Sequence, residues 1–155
     1  MRTIYLVRHA KAEPIADTDK QRALSDIGIS DAQKLGILFS KELQAPDCIL
    51  CSDADRTRQT LDLMKQHGLS ASEVIYDEQL YHASADYLHE LIKISDGKSI
   101  MIIGHNPSLA ILLNKIVPAE DVAPDMMHFP TGTLAALGVD NEKIELQKFV
   151  KGADL

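Results

Sequence analysis

Three stretches of the chain put guanidiniums and imidazoles at equivalent places. The first apolar run, Thr3-Ile4-Tyr5-Leu6-Val7, stops on Arg8-His9. The second, Cys48-Ile49-Leu50-Cys51, stops on Ser52, with Arg56 and Arg58 close behind. The third, Ser99-Ile100-Met101-Ile102-Ile103, stops on Gly104-His105-Asn106-Pro107. A core does not readily accept such groups, so runs that end on them call for a reason. If the runs are neighbouring strands, two imidazoles and two or more guanidiniums converge on one spot. That spot suits an anion with tetrahedral oxygens, because arginine donates bidentately to phosphate and helix N-termini add positive potential. A divalent metal is the rival ligand for clustered histidines. Arg8 and Arg56 would repel it, and no Asp, Glu or Cys lies at ligand spacing beside His9 or His105. A lone strand-end histidine usually just caps a turn; two at corresponding strand ends weigh against that reading.

The elements that must position these groups alternate in period. Residues 3–8 read as a strand, Ser25 to Leu43 as an amphipathic helix carrying Ala32, Leu35, Ile37 and Leu38, and Cys48 to Cys51 as a second strand. A helix is expected from Asp55 to His67, a short strand from Val74 to Tyr76, a helix from Ala85 to Ser95, a buried strand at 99–103 and a helix from Pro107 to Ile116. Thr133 to Val139 and Ile144 to Val150 read as a β-hairpin across Asp140-Asn141. The expected fold class is α/β, a three-layer α/β/α arrangement with a mostly parallel central sheet and an antiparallel edge. In such sheets a ligand site lies beyond the carboxyl ends of the strands.

With 155 residues, 45% hydrophobic and 25% charged, the chain is expected to form one globular domain, 1–155. The net charge of −7 and the lack of a basic block give no footing for nucleic acid. No apolar run reaches the roughly 18 residues of a membrane span, and the run before Arg8 is too short for a signal peptide. Cys48 and Cys51 have C-x-x-C spacing, but in an apolar strand they face opposite sides of the sheet. Two reduced, buried cysteines and a cytoplasmic location are expected.

The strings LVRHA, LSDIGISDAQKLG, CSDADRTRQT, IIGHNPSL and FPTGTLAAL, in this order, resemble the histidine phosphatase superfamily, with its phosphoglycerate mutase-like fold. RHAK, Arg22-Ala23-Leu24 and the Pro-Thr-Gly near the C-terminus are similar to the SixA-type phosphohistidine phosphatases. The resemblance implies that His9 is the nucleophile that becomes a covalent phosphohistidine, and that Arg8, Arg56 and His105 complete the phosphate pocket. Neutral imidazole is a competent nucleophile near neutral pH, and its phosphoramidate is labile to water. The resemblance also implies no cofactor and no metal. It brings Arg22 toward the phosphate, with Ser52 and Asn106 adding hydrogen bonds and Lys11 a rim charge. Phosphate, vanadate or tungstate would occupy the site.

Two departures from the family pattern bear on substrate. Asp53 and Asp55 flank Arg56 and could pair with Arg56 or Arg58, weakening the positive field. Members acting on esters carry a Glu two residues after the leucine matching Leu80; here that place is His82. An alkoxide leaving group needs a positioned acid, worth roughly 10²–10⁴ in rate, whereas the imidazole of a phosphohistidine leaves more easily. The missing Glu favours a P–N substrate unless Glu78 or His82 substitutes. The short stretch between Leu80 and Ser99 leaves no room for a long lid, so an open pocket is expected, able to admit a phosphohistidine on a folded partner such as a phosphotransfer domain. A metal-independent phosphatase of small phosphate esters and a silent phosphate-binding module are the alternatives.

Overall fold

The computed structural model describes residues 2–95 and 97–155. The first apolar run forms β1 (Arg2–Arg8), and the alternation of its side chains sets the architecture. Ile4 and Leu6 enter one apolar layer, Tyr5 and Val7 the other, and all four are buried. A strand buried on both faces needs cover on both. One cover is α1 (Asp26–Lys41) with α2 (Asp55–Gln66), which contribute Leu35, Phe39, Leu61 and Met64. The other is α3 (Ala85–Ile94) with α4 (Ser108–Ile116), which contribute Leu88, Ile92, Leu109, Leu112 and Leu113.

Between the covers lie β2 (Cys48–Ser52), β3 (Glu73–Asp77), β4 (Ile100–Gly104), β5 (Thr133–Asp140) and β6 (Lys143–Lys151). The sheet order is β3-β2-β4-β1-β5-β6. The first four strands run parallel, and β5 and β6 are antiparallel additions at one edge. This is the α/β class expected from the alternation. The hairpin turns through Asn141 and Glu142, with Asn141 at φ 56°, a conformation asparagine tolerates. Cys48 and Cys51 lie in opposite apolar layers, and both thiols are free. Burial pushes the Cys51 thiol up to about 12, the reverse of a reactive redox cysteine.

The order β2-β4-β1 makes the three polar strand ends neighbours. Arg8 stands opposite Gly104, and Cys51 opposite Ile103, so Ser52, His105 and His9 leave the sheet side by side. The start of α1 then pins the chain that follows His9. Ser25 caps the helix by accepting from the Gly28 N–H at 3.1 Å, while its own N–H and hydroxyl donate to the Lys11 carbonyl at 2.9 and 3.1 Å. A Cβ at Gly28 would lie 2.0 Å from that same carbonyl oxygen. Replacing Gly28 with alanine is therefore expected to force helix and loop apart and to lower stability by about 1–3 kcal/mol, the usual penalty of overpacking. Urea unfolding measures it, and an unchanged midpoint would contradict the close approach.

Candidate active site

His9 leaves β1 with its N–H donating to the Gly104 carbonyl at 3.2 Å and its carbonyl accepting from Gly132 N–H at 2.9 Å. The end of β4 and the residue just before β5 thus hold its backbone. The next residue, Ala10, donates its N–H to Thr60 Oγ1 at 3.0 Å, and Thr60 donates to the Arg56 carbonyl at 2.7 Å. The same helix that carries Arg56 therefore fixes the chain beside His9.

The His9 ring is 2.7 Å, through Nδ1, from the Ala10 carbonyl oxygen. A carbonyl can only accept, so Nδ1 carries the proton. Burial, reinforced by His105, Arg56 and Arg8 nearby, pushes the His9 pKa down to about 3 despite the opposing pull of the Ala10 bond. At neutral pH the ring is neutral, and Nε2 holds a free lone pair. His105 stacks obliquely beside it, ring centroids 5.4 Å apart, and burial and Arg56 push its pKa down to about 4. Ser52 Oγ meets His105 Nε2 at 2.7 Å and fixes that ring.

Around the imidazoles opens a cleft of about 630 Å³, lined by Arg8, His9, Lys11, Arg22, Arg56 and His105 among others. Arg8 Nη1 donates to the Phe129 carbonyl at 3.2 Å. That carbonyl is aimed by a backbone at φ 45°, left-handed for a phenylalanine, held by a ring fully buried in the α3/α4 layer. Arg56 sits in the first turn of α2 and donates Nη1 to the Asp19 carbonyl at 2.8 Å and Nη2 to Asp19 Oδ2 at 3.1 Å. Arg8 Nε and Arg56 Nε are buried without an acceptor. Each such donor costs about 1–3 kcal/mol unless an oxygen reaches it.

His9, Arg8, Arg56 and His105 come together at the floor of the cleft, and Arg22, His82 and Asn106 also line it. Arg22 donates Nε to the Glu13 carbonyl at 2.8 Å and Nη1 to Asp19 Oδ1 at 3.1 Å. His82 is exposed on the rim, edge to face with Tyr81. Asn106 has both amide N–H groups on backbone carbonyls, those of His128 at 2.8 Å and Phe129 at 3.0 Å, so it braces the Arg8 acceptor. Ser52 is fully buried behind His105 and is not among the cleft-lining residues, so it orients the imidazole and does not face an anion directly.

The pairing foreseen for the flanking acids is corrected: the Asp53 carboxylate bonds Lys20 at 2.8 Å, and Arg58, lying over the Tyr76 ring at 4.1 Å, reaches Asp53 only through its backbone carbonyl at 3.1 Å. The carboxylate that does meet Arg56 is Asp19, which sequence reasoning missed together with Tyr81. Asp19 accepts from Arg22, Arg56 and the Tyr81 hydroxyl. The Tyr81 bond, followed by that of Arg22, holds its carboxyl well below the usual carboxylate range. An acid three residues before Arg22 was the available signal, but the approach of Tyr81 across the cleft had none. Among the described residues no group of His, Cys, Asp and Glu is arranged to hold a metal ion, and no helix is long and apolar enough to cross a membrane.

A family model of the histidine phosphatase superfamily (branch 1) matches residues 4–85, which include Arg8, His9 and Arg56. The chain belongs to the histidine phosphatase superfamily. An uncharacterized Mycobacterium tuberculosis protein is 34% identical over 86% of this chain and 87% of its own length. A phosphohistidine phosphatase SixA homolog from Haemophilus influenzae is 29% identical over 92% of both. A solved structure of a candidate phosphohistidine phosphatase SixA from Agrobacterium tumefaciens superposes with a TM-score of 0.81 at 29% identity, covering 96% of this chain and 97% of that one. The protein histidine phosphatase SixA solved with tungstate, 21% identical, shares the fold at a TM-score of 0.77 over 98% of both chains. Membership in the superfamily makes this protein a histidine phosphatase.

The buried imidazoles carry a pH signature. Their folded pKa values, about 3 and about 4, lie below the ordinary histidine value of 6.5. Between the folded and ordinary values the unfolded chain binds more protons, so stability rises with pH there and is lost as pH falls from 6.5 toward 4. Asp19, held below the ordinary carboxylate value, adds a slope of the same sign only at the acidic end of that window. Urea midpoints measured from pH 4 to 6.5 should climb with pH, and the double replacement His9→Asn with His105→Asn should flatten the slope. A slope unchanged by the double variant would contradict buried neutral rings.

Proposed function

We propose that this histidine phosphatase removes the phosphoryl group from a protein phosphohistidine, through a covalent phosphoryl intermediate on His9 Nε2. Arg8, Arg56 and His105 hold the equatorial oxygens during in-line transfer, and Arg22 screens charge at the mouth. The arginines supply the positive charge a metal would otherwise bring. The six-stranded sheet, running from Arg2 to Lys151, supports reading residues 1–155 as one domain of this type.

The observation that carries the substrate class is the state of the only acidic residue lining the cleft among the described residues. Asp19 is held ionised by Tyr81, Arg22 and Arg56, so it has no proton to give an alkoxide. An imidazole departing from phosphorus needs far less help. The SixA names carried by the Haemophilus and Agrobacterium relatives agree with this choice. The second reading, a phosphatase of small esters, draws on the exposed His82 imidazole at the rim, since Glu78 lines the adjoining hollow and not the cleft itself.

Side-by-side turnover of a phosphohistidine protein, an aryl phosphate and an alkyl phosphate tests the proposal. The expected order is phosphohistidine, then aryl, then alkyl, with acid-labile, base-stable label trapped on His9 and His9→Ala slower by at least roughly 10³. Alkyl esters turning over as fast as phosphohistidine would replace this reading with the ester phosphatase.

A further inference from the structure

His9 itself shows what an imidazole needs in order to leave phosphorus. When water attacks the phosphoryl on Nε2, the P–N bond breaks and its electron pair returns to Nε2. Because Nδ1 keeps its proton on the Ala10 carbonyl at 2.7 Å, the ring departs as neutral imidazole with no proton drawn from elsewhere. In the first half of the reaction the substrate's imidazole is in the same position, and it needs an equivalent acceptor at its far nitrogen.

The layout of the cleft says where that acceptor must lie. His9, Arg56 and His105 are buried at the floor, 6 to 7% exposed, so in-line attack from His9 sends the leaving group toward the mouth. At the mouth stands Asp19, whose side chain is 56% exposed. A carboxylate offers about four lone-pair sites. Arg22 Nη1 takes one on Oδ1, and Arg56 Nη2 and the Tyr81 hydroxyl take two on Oδ2. One site on Oδ1 is left, on the only carboxylate that lines the cleft among the described residues. Those three bonds hold the carboxylate in place, and Arg56 also holds the Asp19 backbone carbonyl.

We propose that Asp19 accepts a hydrogen bond from the far ring N–H of the departing imidazole, and that this contact selects a phosphohistidine over a phosphate ester. The inference rests on the phosphohistidine reading above and names the residue that enforces it. The atoms balance as they do for His9: the His9 Nε2 lone pair forms the new N–P bond, the substrate P–N bond breaks, and the pair returns to the leaving nitrogen while the far nitrogen keeps its proton. Asp19 keeps that proton on the ring above the pH at which free solution would remove it. An ester has no such proton to hold, so the same carboxylate gives it nothing. The charged and titratable groups around Asp19 are Arg22 from its own loop, Arg56 from α2, His105 from the end of β4, Lys20 paired with Asp53, and Tyr81, His82 and Glu78 from the segment after β3; all remain when Asp19 alone is replaced.

Asp19→Asn tests the contact, because it removes the charge while leaving the backbone carbonyl that holds Arg56. Turnover of phosphohistidine and of p-nitrophenyl phosphate is followed from about pH 5.5 to about pH 8, the range across which imidazole changes charge. At the upper end the variant should lose about ten- to a hundredfold in kcat/KM on phosphohistidine, the worth of one charge-assisted hydrogen bond. The loss should shrink toward the acidic end, where solvent protonates the ring. On the aryl ester the variant should lose only what the weakened bonds to Arg22 and Arg56 cost, so that at the upper end the phosphohistidine loss exceeds the ester loss by at least about tenfold; a circular dichroism spectrum like the parent's reports that the variant is folded. His82 is present in both proteins, so its titration cancels in the comparison. Equal losses on both substrates would reduce Asp19 to a brace for Arg22 and Arg56 and overturn the proposal, as would full phosphohistidine turnover at the upper end. An unmodified enzyme that cleaves esters and ignores phosphohistidine would instead sink the substrate reading, before any variant is compared.

Discussion

Two guanidiniums and two imidazoles share one cleft with little water at its floor, and burial, reinforced by repulsion among like charges, decides what state the imidazoles can hold. Burial makes a further positive charge costly on both histidines, and Arg8 and Arg56 beside them add to that cost. The imidazoles yield first, because a ring can drop its proton where a guanidinium cannot. Neutral rings in turn free a lone pair on His9 and fix its other nitrogen on a backbone carbonyl. The free lone pair on His9 is a consequence of burial first and of neighbouring cations second, and the sheet brings both to that point. The order β2-β4-β1 brings the strand ends together, and the Thr60 and Ser25 bonds keep them from relaxing apart.

Much of this was legible in the sequence where period and position carry physical meaning. A strand that is apolar on both faces and then stops on Arg-His has few explanations, and apolar strands alternating with helices already implied a sheet covered on both faces. The cysteines were readable for the same reason, since a strand at i and i+3 must split them between layers. The second half of the site was not legible. Asp19 and Tyr81 lie in irregular segments, distant in sequence, and nothing periodic says that they meet over the cleft. Ser52 and Asn106 were placed in the right neighbourhood, but their function there depends on which backbone carbonyl or ring nitrogen they reach, which only the packed chain determines. The pairing of Arg56 went wrong for a related cause: Asp53 and Asp55 are near in sequence, yet at the start of α2 the chain turns Asp53 toward Lys20.

The rim and the floor of the cleft do different work. In the mechanism proposed above, phosphate oxygens are met by the buried arginines, whose unanswered Nε donors any phosphoryl group satisfies equally. Discrimination among substrates must therefore come from the exposed edge, where Asp19, Tyr81, Arg22 and His82 meet whatever phosphorus is attached to. An ionised carboxylate in a site for anions is otherwise hard to understand, because it subtracts from the field that attracts phosphate.

All of this stands on His9 being a neutral ring with the proton on Nδ1. Nitrogen NMR of the protein labelled with 15N in its histidine rings reads that state directly. Across the neutral range the His9 signals should show a protonated Nδ1 and a bare Nε2, with no titration until strongly acidic pH. A His9 imidazolium near neutrality, or a proton on Nε2, would contradict the account.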